Sequence, residues 1–180
     1  MIVNFKKSIK NAKIILVTMH RRENIDFFGD MCDAIIDISK KYVDNAMVIL
    51  PVHLNPNVKN VVTKKLFGIK NVKIVNPIPY DVFPHVILES HVIMTDSGGI
   101  QEEASSIGKP VILMRATTER PEGTFQGSIK QIGTNRQEII DACTEAISMN
   151  KAELSSNLFG DGQASVRIAE NNKFASNECE

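Results

Sequence analysis

Three near-continuous apolar runs, Ile14-Ile15-Leu16-Val17, Val48-Ile49-Leu50 and Val111-Ile112-Leu113, constrain what this chain can fold into. A strand with apolar side chains on successive residues, not alternate ones, has both faces covered, the condition of a parallel sheet flanked by helices. Longer stretches of helical period separate such runs, so the pattern is one of βαβ units. Strands are expected at Lys13–Met19, Ala46–Val52, Val72–Val75, Val92–Thr95, Pro110–Met114 and Ser128–Gln131. Between the first two, Phe28, Met31, Ala34, Ile35, Ile38 and Tyr42 repeat at three-and-four spacing and form one apolar helix face. Further helices are expected at Pro56–Phe67, Tyr80–Ser90, Ile100–Ile107, Arg136–Met149 and Ala164–Phe174. The fold class is therefore α/β, a single Rossmann-like doubly wound parallel sheet over residues 1–174, with a polar, frayed tail at 175–180. The order of strands within the sheet does not follow from the pattern.

Charge narrows the partners. Lys and Arg number 21 against 21 Asp and Glu, so no net field draws in DNA, RNA or an anionic membrane, and a bound phosphate has to be held locally. Cys32, Cys143 and Cys179 are far apart and lack C-x-x-C pairing, which argues against a disulfide scaffold or a zinc site and for a reducing cytoplasm. There is no 18-residue apolar run and no signal-peptide-like opening, so no membrane span and no export are expected. His20, His53, His85 and His91 have no metal-ligand spacing, and neither a metal nor a cofactor is called for.

A doubly wound sheet binds its ligand at the carboxyl ends of its strands, and three polar segments follow strands here. In Thr95-Asp96-Ser97-Gly98-Gly99-Ile100-Gln101-Glu102-Glu103-Ala104 a strand passes through two glycines into a helix. Backbone without Cβ atoms at a helix start admits a diphosphate to free N–H groups and the positive dipole end. Ser97 adds a hydroxyl, and Glu102 or Glu103 can accept from a ribose diol. Asp96-Ser97-Gly98 lacks the glycine that a serine-hydrolase elbow needs two residues before its serine. The second segment, Met19-His20-Arg21-Arg22-Glu23-Asn24, sets an imidazole and two guanidiniums at the end of the first strand, where an anion would compensate them. The third, Arg115 to Glu122, carries hydroxyls and arginines into Pro121, suited to a first helical turn. His53 also ends a strand on this edge, whereas Phe83 by itself reads as a core aromatic.

Taken in order, these segments resemble the non-hydrolysing UDP-N-acetylglucosamine 2-epimerases, whose two-domain GT-B fold is shared with many glycosyltransferases. The matching runs are Val17 to Asn24, Pro51 to Val58, Thr95 to Ala104, Gly108-Lys109-Pro110-Val111, Arg115 to Glu122 and Gly160 to Ser165. The resemblance implies that Ser97, Gly98 and Gly99 hold the UDP diphosphate, Glu103 the ribose hydroxyls, and that Arg120 supports the phosphates. It sets Phe83 beside the uracil and His20 near the reacting centre, the catalytic candidate of this half. Arg21 and His53 match positions that touch a second, activating UDP-GlcNAc in bacterial members. Met19 stands where the family usually has glycine, and Ala116 where aspartate is common.

The same resemblance implies the C-terminal half of a GT-B fold, present without the N-terminal domain that carries the sugar carboxylates. An isomerase interconverting UDP-GlcNAc and UDP-ManNAc by elimination and re-addition of UDP is the expected family activity, with this half inactive alone. A separately encoded N-terminal epimerase domain is then the expected partner. Two alternatives are a glycosyltransferase donor domain, against which Thr117-Thr118-Glu119-Arg120-Pro121-Glu122 speaks, and a non-enzymatic UDP-binding remnant of a split gene. The last helix, if it lacks a partner, exposes Val166, Ile168, Ala169 and Phe174 and favours a homodimer.

Overall fold

A computed structural model describes residues 12–125, 128–149 and 159–177. Six parallel strands run in the order β3-β2-β1-β4-β5-β6. They are β1 Lys13–Thr18, β2 Ala46–Pro51, β3 Val72–Val75, β4 Val92–Thr95, β5 Val111–Leu113 and β6 Ile129–Gln131. The helices are α1 Phe28–Lys41, α2 Pro56–Leu66, α3 Phe83–Glu89, α4 Gly98–Ser106, α5 Glu122–Phe125, α6 Arg136–Ser148 and α7 Ala164–Asn177, with a 3-10 helix at Arg22–Phe27 ahead of α1.

The apolar runs are buried on both sides, as their composition requires. Ile15, Val17, Val48, Leu50, Val92, Met94 and Ile112 share one core with the inner faces of α1, α2 and α6. The alternate residues Leu16, Ile93, Val111 and Leu113 pack with Val86 and Ile87 of α3 and Ala104 of α4 in a second core. All the residues of the α1 face foreseen from periodicity lie in or against the first core, Tyr42 being partly buried.

The boundaries that moved did so for local reasons. α3 starts at Phe83 and not at Tyr80, because Pro79–Val82 forms a turn closed by Val82 N–H to the Pro79 carbonyl, and Pro84 is accommodated in the first helical turn. α4 begins two residues earlier than expected, so Gly98 and Gly99 form its first turn. Neither has a left-handed backbone, and at Gly98 a Cβ would meet the Arg120 guanidinium; Gly108, at φ 63°, is the one that reverses the chain after this helix.

The described side chains of α7 are all exposed, Val166 and Ile168 among them; that of Phe174 lies outside the described residues. No helix among the described residues is long and apolar enough to cross a membrane.

Candidate functional site

β1 and β4 are neighbours in the sheet, yet they lead into helices on opposite faces, α1 and α4. The chain therefore diverges past their carboxyl ends and leaves a crevice there. At its floor the hydroxyls of Thr18 and Thr95 lie 2.6 Å apart, and Thr95 Oγ1 accepts from the Ser97 N–H at 2.9 Å.

Asp96, whose side chain is fully buried, organises the exit of β1. Its carboxylate accepts from the backbone N–H groups of His20 at 3.0 Å and Arg21 at 2.9 Å and from Asn24 Nδ2 at 3.4 Å, and faces His20 Nδ1 at 3.1 Å. Asn24 also donates to the Met114 carbonyl at 2.9 Å, so the exits of β1, β4 and β5 are tied together by side chains. Burial pushes the Asp96 carboxyl up, but the hydrogen bonds from His20 and from the Arg21 and His20 amides outweigh it and hold the group below its ordinary value. Since the folded value is the lower one, this clasp is complete above the ordinary carboxyl range and is lost as pH falls through the folded value. The expected result is faster amide exchange at His20 and Arg21 in acid while the α1 amides stay protected; protection kept below that range would contradict it.

The start of α4 forms the opposite wall. Ser97 takes the N-cap position with an extended backbone, but its side chain makes no capping bond, so the hydroxyl is available along with the unpaired N–H groups of the first turn. The guanidinium of Arg120 lies over Gly98, where a Cβ would collide with it, whereas Gly99 opens on empty space. Arg120 Nε donates to Glu102, and its Nη1 is 3.7 Å from Glu119. Arg115 is almost wholly buried and spent on structure, bonded to Glu23 at 2.8 Å and by two nitrogens to Glu119 at 2.9 and 3.0 Å. Arg115 accordingly draws the Glu119 carboxyl down to about 2. Of the two adjacent glutamates, Glu102 is the one engaged by Arg120. Burial, then the neighbouring Glu102 charge, raise the Glu103 carboxyl.

A cavity of about 440 Å³ adjoins this wall, lined by Met19, His20, His53, Phe83 and Ile100 among others. His20 and His53 stack with ring centroids 5.7 Å apart. The structure thus brings His20, His53 and Phe83 together around one cavity and Ser97, Gly98, Gly99 and Arg120 around the α4 start that adjoins it, with Glu103 further along the same helix. Arg21 does not line the cavity; its Nε is buried without a hydrogen-bond partner among the described residues, and its charge is felt by Glu119 toward β5. Met19 is buried in the cavity wall, and Ala116 is exposed, its carbonyl accepting from Gln131.

Four contributors were not singled out from sequence: Asp96, Asn24, Gln101 and Arg115. Gln101, fully buried, accepts from the Thr118 hydroxyl at 3.0 Å and donates to the Ser97 carbonyl at 3.3 Å, coupling the Arg115–Pro121 loop to α4. For Asp96 a signal existed, namely a carboxylate directly ending an apolar strand; Asn24, Gln101 and Arg115 each also bond to a residue distant in sequence, Met114, Thr118 and Glu23 respectively.

A six-stranded parallel sheet with helices on both faces and a crevice at its switch point defines a doubly wound α/β domain. The family model described as UDP-N-acetylglucosamine 2-epimerase matches residues 2–172. The UDP-N-acetylglucosamine 2-epimerase of Yersinia pestis is 44% identical over 163 residues, covering 88% of this chain and 43% of its own length. Among solved structures, the S. aureus MnaA-UDP co-structure matches with a TM-score of 0.88 and 38% identity over 97% of this chain and 48% of that one. The Neisseria meningitidis UDP-GlcNAc 2-epimerase bound to UDP-GlcNAc matches with a TM-score of 0.83 and 38% identity over 94% of this chain and 49% of that one. The chain belongs to the UDP-N-acetylglucosamine 2-epimerase family. It spans about half the length of the curated relatives it matches, and its sheet is the Rossmann-like half of a GT-B fold.

Proposed function

We propose that these residues form the UDP-binding half of an epimerase that interconverts UDP-GlcNAc and UDP-ManNAc by eliminating UDP and adding it back. The observation that carries this is the Arg120 guanidinium lying over Gly98 at the open start of α4. Breaking the bond from the sugar's anomeric carbon to UDP puts growing negative charge on the diphosphate, and preorganised N–H groups with a cation beside them stabilise that charge. In this role Ser97, Gly98 and Gly99 receive the diphosphate, Arg120 leaves Glu102 for a phosphate oxygen, Glu103 takes the ribose hydroxyls and Phe83 lies beside the uracil. His20 faces the sugar, and Arg21 and His53 belong to an activator subsite for a second UDP-GlcNAc. The ligands in the two bacterial relatives' structures, UDP and UDP-GlcNAc, support the assignment.

Removing the C2 proton takes a positioned base, and holding the unsaturated sugar between steps takes a closed cleft. Half a cleft excludes no water, so the 180 residues alone are expected to bind UDP weakly and to form no UDP-ManNAc. A domain equivalent to the relatives' other half, on the same chain or a separate one, is expected to complete the site, because two domains with their own cores can meet without sharing a sheet. Calorimetry with UDP and an NMR assay for UDP-ManNAc, with and without such a domain, test both statements. Absence of UDP binding removes the nucleotide-site assignment, and turnover by these residues alone removes the half-site.

A further inference from the structure

Two ring nitrogens in the cavity are already committed, and together they fix where the protons sit. His20 Nδ1 is 3.1 Å from a carboxylate oxygen of Asp96. That carboxylate accepts from the His20 and Arg21 backbone N–H groups and from Asn24 Nδ2, so it faces the ring as an acceptor and the hydrogen between them belongs to His20 Nδ1. His53 Nδ1 is in the opposite state: it accepts the backbone N–H of Asn55 at 3.1 Å, which leaves the ring hydrogen of neutral His53 on Nε2.

We infer that Asp96 is a positioning residue for His20, fixing the neutral imidazole with its hydrogen on Nδ1 and its lone pair on Nε2, an inference that rests on His20 being the imidazole nearest the sugar. The two stacked rings then present different groups, an acceptor at His20 Nε2 and a donor at His53 Nε2. A proton accepted at Nε2 makes an imidazolium whose charge the Asp96 carboxylate balances, and the same proton leaves from Nε2 when the ring donates. Asp96 touches no ligand in this role and acts through His20.

The clasp that holds Asp96 explains why it can do this. Three other donors, the His20 and Arg21 amides and Asn24 Nδ2, fix the carboxylate in place, so the imidazole is oriented by a group that does not itself rotate. Among the residues lining the cavity, His20 and His53 are the ionisable ones, and Asp96 is the anion on the Nδ1 side.

Long-range ¹⁵N–¹H correlation spectra of the whole uniformly labelled chain, at a pH where the rings are neutral, read the tautomers directly. His20 is assigned by the set of signals missing in His20→Gln. The expected pattern is opposite tautomers, Nδ1–H for His20 and Nε2–H for His53. In Asp96→Asn, which keeps an acceptor for the backbone amides, His20 is expected to lose its single tautomer and show averaged nitrogen shifts, with His53 unchanged. Wild-type His20 found as Nε2–H overturns the inference even if the variant does not fold, and so does a folded Asp96→Asn protein with an unchanged His20 pattern, which leaves Asp96 a clasp for the loop alone. None of these readings uses UDP, so a failure of the nucleotide assignment and a failure of this one are seen separately.

Discussion

The paired change Ser97→Ala and Glu103→Ala is expected to abolish most UDP binding while leaving the fold intact. Ser97 caps α4 through its backbone and not its side chain, so removing the hydroxyl breaks no capping bond. Glu103 is partly exposed on the helix, and its neighbour Glu102 makes the ion pair with Arg120. Neither change therefore touches the cores. Losing a hydrogen bond to a charged group costs about 1.5–3 kcal/mol, which is roughly a tenfold to hundredfold loss of affinity for one such bond. Calorimetry with UDP measures it beside a thermal melt. Unchanged affinity would reduce the glycine turn to a structural connection.

The largest loss of stability is expected from Phe28→Ala. Phe28 opens α1 and is fully buried in the core under β1, β2 and β4. Truncating a buried phenylalanine leaves a cavity that the neighbours fill incompletely, at about 3–5 kcal/mol. Set against total stabilities of about 5–15 kcal/mol, this is a large share of what holds a domain folded. The urea midpoint should fall steeply with an unchanged slope. A loss below about 1 kcal/mol would mean that Met31, Ile35 and their neighbours close the gap, an outcome toward the tolerant end of core replacements.

The sequence made the elements legible and left their arrangement hidden. Double-sided burial could be read from Ile14 to Val17 because both flanks of a covered strand must be apolar, and the α1 face from Phe28 to Tyr42 because its period is local. Strand order depends on β1 pairing with β4, residues some 77 apart, and no local pattern records that. The site divides in the same way. Ser97, Gly98 and Gly99 were visible as a strand-to-helix turn, although the glycines proved to be the helix's first turn. The Asp96, Asn24 and Met114 connection, and that of Gln101 to Thr118, join segments that only the fold brings together. Pro84 was a visible signal for where α3 starts, since a proline fits a first helical turn and fits poorly further along.

Of the six described strands β1 leaves the ribosome before the others, yet it ends up in the middle of the sheet. Residues 13–75 can assemble β1, β2 and β3 from consecutive segments, but the other edge of β1, along Ile15 to Thr18, waits for β4. At about 5–20 residues per second, the stretch from Val75 to Thr95 takes roughly 1–4 s to synthesise. Throughout that interval the nascent chain carries an open strand edge whose Ile15–Thr18 stretch has no charged side chain to discourage a second copy from pairing with it. Self-association is therefore a hazard of the order in which this protein is made, and the stability of the finished fold offers no protection against it.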